Sequence, residues 1–393
     1  MPAAVRSRPD ACPGVFAPHD AADGALARIR LPGGVITSAA LRAVADCADE
    51  LGDGRLHLTS RGNLQLRGLS RSGAVVARLS AAGLLPSATH ERVRNVLASP
   101  LSGIAGDPVV GGRRSGAGDV RGLAAELDRQ LCARPALAEL PGRFLLALDD
   151  GRGDVAAEGP DLCWQSPGRL LAAGADTGLD VPAGDAVAAL LDAAEAFLAL
   201  RAADGGTAWR VAELTDAAAR IAIALAKRAP ASPRATAPAP PSSRSPSAAV
   251  PGPVRRADGG TALVVAPLLG ELTSAQARLL AGSGPFAVVT PWRTVVLPDP
   301  ATDAAALAAA GLVVAPGPAA DLSACAGRPG CAKALADVRA DALAALGHLP
   351  PGRVHVSGCA RRCGAPRGPH VDTVALAGGG YAVDGAVRES LVP

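Results

Sequence analysis

Four cysteines in the last fifth of the chain have the residue type and spacing most suited to chemistry. Cys325, Cys331, Cys359 and Cys363 read C-x5-C-x27-C-x3-C. Two tight pairs separated by a helix-length segment can converge on one centre, and thiolates hold either iron–sulfur clusters or zinc. Paired zinc cysteines typically follow a C-x2–4-C spacing, so the wider first pair favours a [4Fe–4S] cluster. Gly330, Gly358 and Gly364 flank the ligands, where a missing Cβ lets backbone N–H groups approach sulfur. Arg361 and Arg362 would offset the negative charge of the thiolates. Cys12, Cys47, Cys132 and Cys163 have no such spacing and read as small buried hydrophobes or surface thiols.

Holding these ligands requires a helix, a strand and two loops. Ala332–Leu346 is expected to be helical, with Leu335, Val338, Leu343 and Leu346 as its apolar face. The Gly347–Gly352 stretch ends it, a strand follows over Arg353–Ser357, and Gly358–Gly364 forms the second ligand loop. Upstream, residues 229–258 are too rich in Pro, Ser and Ala to bury a core and read as a linker. On its two sides the sequence repeats. Gly34-Val-Ile-Thr-Ser-Ala-Ala-Leu-Arg aligns with Gly270-Glu-Leu-Thr-Ser-Ala-Gln-Ala-Arg. Each copy predicts a strand (27–31; 262–266), a helix capped by Thr37 or Thr273, and two further strands (55–60 and 64–67; 286–290 and 294–297). This β-α-β-β order suits a ferredoxin-like half-domain. Between the first copy and the linker, a strand is expected at 143–148 and amphipathic helices near 186–200 and 214–227.

The fold class expected is therefore α+β, a pseudo-two-fold duplication with two ferredoxin-like half-domains and two mixed α/β domains. The divisions expected are 1–85, 86–228, the linker 229–258, 259–315 and 316–393, the last carrying the cysteines. The ligand site of such a molecule falls between its halves.

Composition narrows the function. The net charge of +3 and an aromatic content of 2% leave little for nucleic-acid recognition. Only Lys227 and Lys333 among 39 basic residues are lysines, so arginine content alone is not diagnostic. No charge-free stretch reaches membrane-spanning length, and the beginning of the chain, with Arg6, Arg8 and Asp10, lacks the apolar run of a signal peptide. A cytoplasmic location follows, where disulfides are not expected. Gly111–Gly118 is glycine-rich but lacks dinucleotide-binding spacing and reads as a loop.

The C-x5-C…C-x3-C signature resembles that of the siroheme and [4Fe–4S] sulfite/nitrite reductase superfamily. Three other segments resemble its motifs in the same order: Arg30-Leu-Pro-Gly-Gly-Val-Ile-Thr37, Leu58-Thr-Ser-Arg-Gly-Asn-Leu-Gln-Leu-Arg-Gly68 and Val93-Arg-Asn-Val-Leu-Ala-Ser-Pro100. Within the superfamily the chain most resembles the precorrin-3B synthases, on its short length, Thr290-Pro-Trp-Arg293 and Val354-His-Val-Ser-Gly-Cys-Ala360. One departure points the same way. Where the reductases carry two oxyanion-binding lysines in Leu-Pro-x-Lys-Phe-Lys, this chain reads Leu140-Pro-Gly-Arg-Phe-Leu145, which puts oxyanion reduction in doubt.

The resemblance implies O2-dependent hydroxylation of precorrin-3A at a meso carbon with lactone formation, in aerobic cobalamin biosynthesis. It also implies a [4Fe–4S] cluster on the four cysteines, a mononuclear non-haem iron, and NADH-derived electrons delivered by a separate reductase or ferredoxin. In the reductases the counterpart of Cys363 bridges cluster to siroheme; here it is expected to ligate the cluster alone. Precorrins carry many carboxylates, and a guanidinium forks onto a carboxylate through two parallel bonds. By motif position, Arg30, Arg61, Arg94 and Asn95 are the candidate contacts in the first half, with Arg293 as their counterpart in the second. Arg67 and Arg143 are undecided between ligand and solvent. His57 and His355 read as satisfied strand residues before iron ligands. No catalytic acid or base is assigned. The alternatives are a siroheme-dependent sulfite or nitrite reductase and a non-catalytic iron–sulfur electron carrier.

Overall fold

The computed structural model describes residues 12–70, 73–106, 109–110, 113–114, 119–228 and 247–392. Of the glycine-rich stretch 111–118, expected as a loop, only Arg113–Arg114 is described, and it is a two-residue strand paired with Val109–Val110; the basic N-terminal residues and most of the linker lie outside the described residues.

Two five-stranded sheets have matching orders. One runs His19–Ala21, Gly24–Ile29, Leu64–Leu69, Arg55–Leu58, Glu271–Thr273. The other runs Gly252–Arg255, Thr261–Val265, Val295–Leu297, Phe286–Val289, Val35–Thr37. The last strand of each comes from the opposite half. Glu271 pairs with His57 and Thr273 with Arg55, while Val35 pairs with Val288 and Thr37 with Phe286. The expected β-α-β-β unit is thus present twice, completed by an exchanged three-residue strand that its periodicity did not reveal. The linker reading also needs correction. Residues 252–255 form an edge strand, because Val254 and its neighbours complete hydrogen bonding along Thr261–Val265.

Helices Ser38–Leu51 and Ser274–Gly282 cover the sheets and pack on each other. Thr37 Oγ1 accepts from Ala40 N at 3.2 Å, and Thr273 Oγ1 from Gln276 N at 3.1 Å in a full capping box. Their apolar faces, including Leu41, Val44, Ala277 and Leu280, share one core with both sheets.

The remaining two sheets also correspond. Each has three parallel strands followed by two antiparallel ones. Val96–Ala98, Leu146–Asp149 and Leu162–Gln165 match Leu322–Ala324, Val354–Ser357 and Val371–Ala375. The first is backed by helices Val120–Cys132, Ala186–Ala203 and Ala217–Arg228 around Trp164 and the Phe144–Phe197 ring pair, whose centroids lie 4.9 Å apart. The second has a much smaller core around Val338, Val354, Val356 and Tyr381. No helix among the described residues is long and apolar enough to cross a membrane.

Candidate functional site

Cys325 follows the strand Leu322–Ala324, and its N–H donates to Val356 O at 3.0 Å. Its sulfur accepts from Gly358 N at 3.1 Å. A Cβ on Gly358 would stand 2.7 Å from Ala334 Cβ and 3.6 Å from that sulfur, so the two ligand loops meet where no side chain fits. Leu335 N donates to Gly358 O at 2.8 Å, tying the first pair to the second, while Ala334 N closes a turn on Cys331 O at 3.0 Å. The expected long helix after Cys331 is confined to Val338–Ala344. Residues 332–337 instead form turns, from which the Leu335 N–H bonds across to the opposite loop.

Burial raises the Cys363 thiol, Arg361 opposes this, and Cys325, Cys359 and Cys331 each raise it further. Cys363 therefore lies within electrostatic reach of the other three sulfurs. An N–H directed at sulfur, a glycine-only contact and four convergent thiols fit a thiolate-held cluster. Arg67, undecided from sequence, supports this centre from the other half: it forks onto Asp23 at 2.8 and 3.0 Å and donates to Gly330 O at 2.5 Å.

The duplication shows what replaces the centre in the first half. Ser99 N donates to Leu148 O at 3.1 Å, as Cys325 N does to Val356 O, so Ser99 holds the position of Cys325. Around it, Asp149, Asp150 and Asp154 form the only trio of metal-type ligand atoms within 4.8 Å among the described residues. Most of their oxygens are taken. Asp149 accepts from Gly151, Gly153 and Ala156, Asp150 pairs with Arg152, and Asp154 accepts from Ser99 Oγ at 2.6 Å. That trio is thus engaged largely by the protein's own donors, and no step is assigned to a mononuclear iron. His57 lies between Asp53 at 3.0 Å and Glu271 at 2.8 Å and is satisfied as expected, whereas His355 is only half so: its Nδ1 bonds Ser323 Oγ at 2.9 Å, but its buried Nε2 has no partner among the described residues.

Beside the cysteine loops, a cleft of about 520 Å³ opens between the halves. Arg61, Arg143 and Arg210 line it from the first half; Arg293, Arg353, Arg362 and Arg367 line it from the second. Only Glu158 and Asp321 oppose them among the lining residues. Arg210 is tied to Asp161 and Arg362 to Asp372, each at 2.7 Å. Arg61, Arg143, Arg293 and Arg353 have no carboxylate within ion-pair distance among the described residues. Burial, then repulsion from Arg210, lowers Arg61 to about 10. Burial and Arg339 also lower Arg293, whose Nη2 donates to Gly364 O at 2.7 Å.

The structure sorts the sequence candidates. Arg61 and Arg293 face the cleft. Arg30 lies behind it, 2% exposed, with Nε on Asn95 Oδ1 at 3.3 Å and Nη2 without a partner. Arg94 and Asn95 do not face a ligand. Arg94 forks onto Asp128 with two 2.7 Å bonds and donates to Leu84 O. Asn95, fully buried, serves the backbone oxygens of Arg92, Gly142 and Phe144. Arg293 is also not the register counterpart of Arg61. The turns Thr59–Asn63 and Thr290–Thr294 close with the same bonds, which align Arg293 (φ 61°) with Gly62 (φ 63°) and Trp292 with Arg61. Sequence reasoning missed Arg210, Arg353 and Arg367, which no motif marks, and it gave Arg362 to the thiolates rather than to the cleft. Arg143 had a signal, since it stands where the reductases carry a lysine.

Comparison with known proteins agrees with this geometry. Residues 19–81 match the nitrite/sulfite reductase ferredoxin-like half domain. The NirA protein of Mycobacterium tuberculosis superposes with a TM-score of 0.71 at 23% identity, over 93% of this chain and 76% of that one, a likeness of fold. A ferredoxin–nitrite reductase of Leptolyngbya laminosa is 31% identical over 146 residues, 35% of this chain and 27% of the reductase, so the match spans about a quarter of that relative. A precorrin-3B synthase of Sinorhizobium sp is 30% identical over 412 aligned positions, covering 97% of this chain and 84% of that protein. Fold and site define an oxidoreductase of the nitrite/sulfite reductase-like class. Within it, the chain belongs to the precorrin-3B synthase family.

Proposed function

We propose that this protein converts precorrin-3A to precorrin-3B, by O2-dependent hydroxylation of a meso carbon and lactone closure from a ring-A acetate. The observation that carries the reading is the set of four guanidiniums around one cleft without carboxylate partners among the described residues. Two of them, Arg61 and Arg293, are desolvated, and a desolvated cation is costly unless an anion meets it. A tetrapyrrole bearing many carboxylates supplies those anions in a fixed ring, and arginines from both halves can grip it from two sides. Trp292 donates Nε1–H to Glu158 Oε1 at 2.8 Å and adds a flat apolar wall. Cys325, Cys331, Cys359 and Cys363 would hold a [4Fe–4S] cluster, which when bound supplies one-electron transfer. The donor is a reductase or ferredoxin carrying NADH-derived electrons, in a cytoplasmic setting.

Siroheme-dependent reduction of sulfite or nitrite is the alternative. Leu145 lines the cleft where that chemistry would want a second cation, which weighs against it. Anaerobic purification, iron and sulfide counting, and a single turnover of precorrin-3A with labelled O2 test the proposal. One labelled oxygen in the product is expected. Stoichiometric siroheme bands with sulfite or nitrite turnover, and no change in precorrin-3A, would overturn it.

A further inference from the structure

The cysteine-bearing segment at the start of the described chain has no part in the reaction above, yet it is built into the arginine wall. Cys12 is half-buried, and both sides of it are anchored. Arg30 Nη1 donates to Pro13 O at 3.0 Å, and Val15 N donates to Glu91 Oε1 at 2.5 Å. A Cβ on Gly14 would stand 2.2 Å from a Glu91 oxygen, so a side chain there would displace the Glu91 carboxylate. Because Arg30 bonds Pro13, its guanidinium is turned towards this segment, and its buried Nη2 has no partner. Arg28, two residues earlier on the same strand face, also has a buried Nε without a partner; its Nη2 donates to Gln65 at 3.2 Å. The Cys12 sulfur is within electrostatic reach of Arg28, Arg30 and Arg61. Three guanidiniums that repel one another, two with unused N–H groups, outnumber the carboxylates that face them, Glu91 beside Arg30 and Asp161 beside Arg61, and form a net positive field suited to an anion on sulfur.

We propose that Cys12 is held as a thiolate by Arg28, Arg30 and Arg61 and is a redox-sensitive modification site, whose oxidation shuts the cleft to anionic ligands. The oxidant is a peroxide. The thiolate attacks one peroxide oxygen, an S–O bond forms as the O–O bond breaks, sulfur loses two electrons, and the departing hydroxide takes a proton and leaves as water. The oxidised sulfur then offers oxygen acceptors to Arg61, which no longer serves a carboxylate in the cleft. The shutting of the cleft rests on the polycarboxylate reading; the thiolate does not.

Two measurements on the full chain with its cluster intact test this. The first is iodoacetamide alkylation across pH under anaerobic conditions, with each thiol followed by peptide mass. Cys12 is expected to react with a midpoint at least about one pH unit below the ~8.5 of an unperturbed thiol, and Arg28→Gln to move that midpoint upward. Retained cluster absorbance checks the fold of the variant. An ordinary thiol profile, or no movement in Arg28→Gln, overturns the thiolate. The second is uroporphyrin affinity before and after hydrogen peroxide, in the parent and in Cys12→Ser. The parent should lose at least about tenfold in affinity and Cys12→Ser less than twofold. Equal losses in both would assign the effect to the cluster and overturn the modification site. If uroporphyrin fails to bind untreated protein, the polycarboxylate reading falls and the shutting of the cleft with it, while alkylation still decides the thiolate.

Discussion

Replacing Gly358 by alanine tests the junction of the two ligand loops. The new Cβ would stand 2.7 Å from Ala334 Cβ and 3.3 Å from Ala334 Cα, and Ala334 is 2% exposed. Gly358 is absent from the residues of positive φ, so the backbone accepts alanine and the penalty is purely steric. Overpacking of this kind costs about 1–3 kcal/mol. Both loops must shift to relieve it, and the Gly358 N–H contact to Cys325 at 3.1 Å shifts with them. If that strain is released when the cluster leaves, loss should accelerate about 5- to 150-fold, since about 1.36 kcal/mol is tenfold. The assay is decay of visible cluster absorbance after anaerobic addition of an iron chelator. Gly358→Ala combined with Ala334→Gly removes the 2.7 Å contact and should recover most of the lost lifetime. Parent-like decay in Gly358→Ala, or no recovery in the double variant, would refute the steric account.

Arg61→Ala should keep the cluster and weaken uroporphyrin binding by about 10- to 150-fold, the worth of roughly 1.5–3 kcal/mol for hydrogen bonds to a charged group, measured by fluorescence titration. Arg94→Ala strands the Asp128 carboxylate and should cost about 3–5 kcal/mol of stability in urea while leaving the affinity of the folded fraction unchanged. For His57, burial opposes the charge, but bonds to Asp53 and Glu271 outweigh it and raise its pKa, while Glu271 is lowered despite burial, through His57 and Arg339. Its contribution is therefore present below the unfolded value of about 6.5 and lost as pH rises through the folded value. Urea midpoints across pH 6–9 should fall in the parent, and less so in His57→Gln. Cys359→Ser should lower iron and sulfide per chain in anaerobically purified protein.

Local signals were legible in the sequence where they depend on neighbours along the chain. The two threonine caps, the cysteine spacing and the Arg61 turn all come from short motifs. What depended on pairing in space was not. Val35–Thr37 and Glu271–Thr273 are three residues each and have meaning only against strands more than 200 residues away. Arg94 and Asn95 sit in a motif that implied ligand contact, but Asp128, 34 positions later, claims the arginine. Arg353 and Arg367 carry no local pattern, and the fold alone brings them to the cleft.

The exchange of edge strands has a consequence for how the molecule is made. As the chain emerges from the ribosome, Arg55–Leu58 has no edge partner until Glu271–Thr273 has been synthesised, and Val35–Thr37 waits as long for Phe286–Val289. Neither ferredoxin-like sheet can close alone, so the duplicated halves form one cooperative unit rather than two successive ones. A cut within the linker should leave fragments that are incomplete separately and that recover structure only when expressed together.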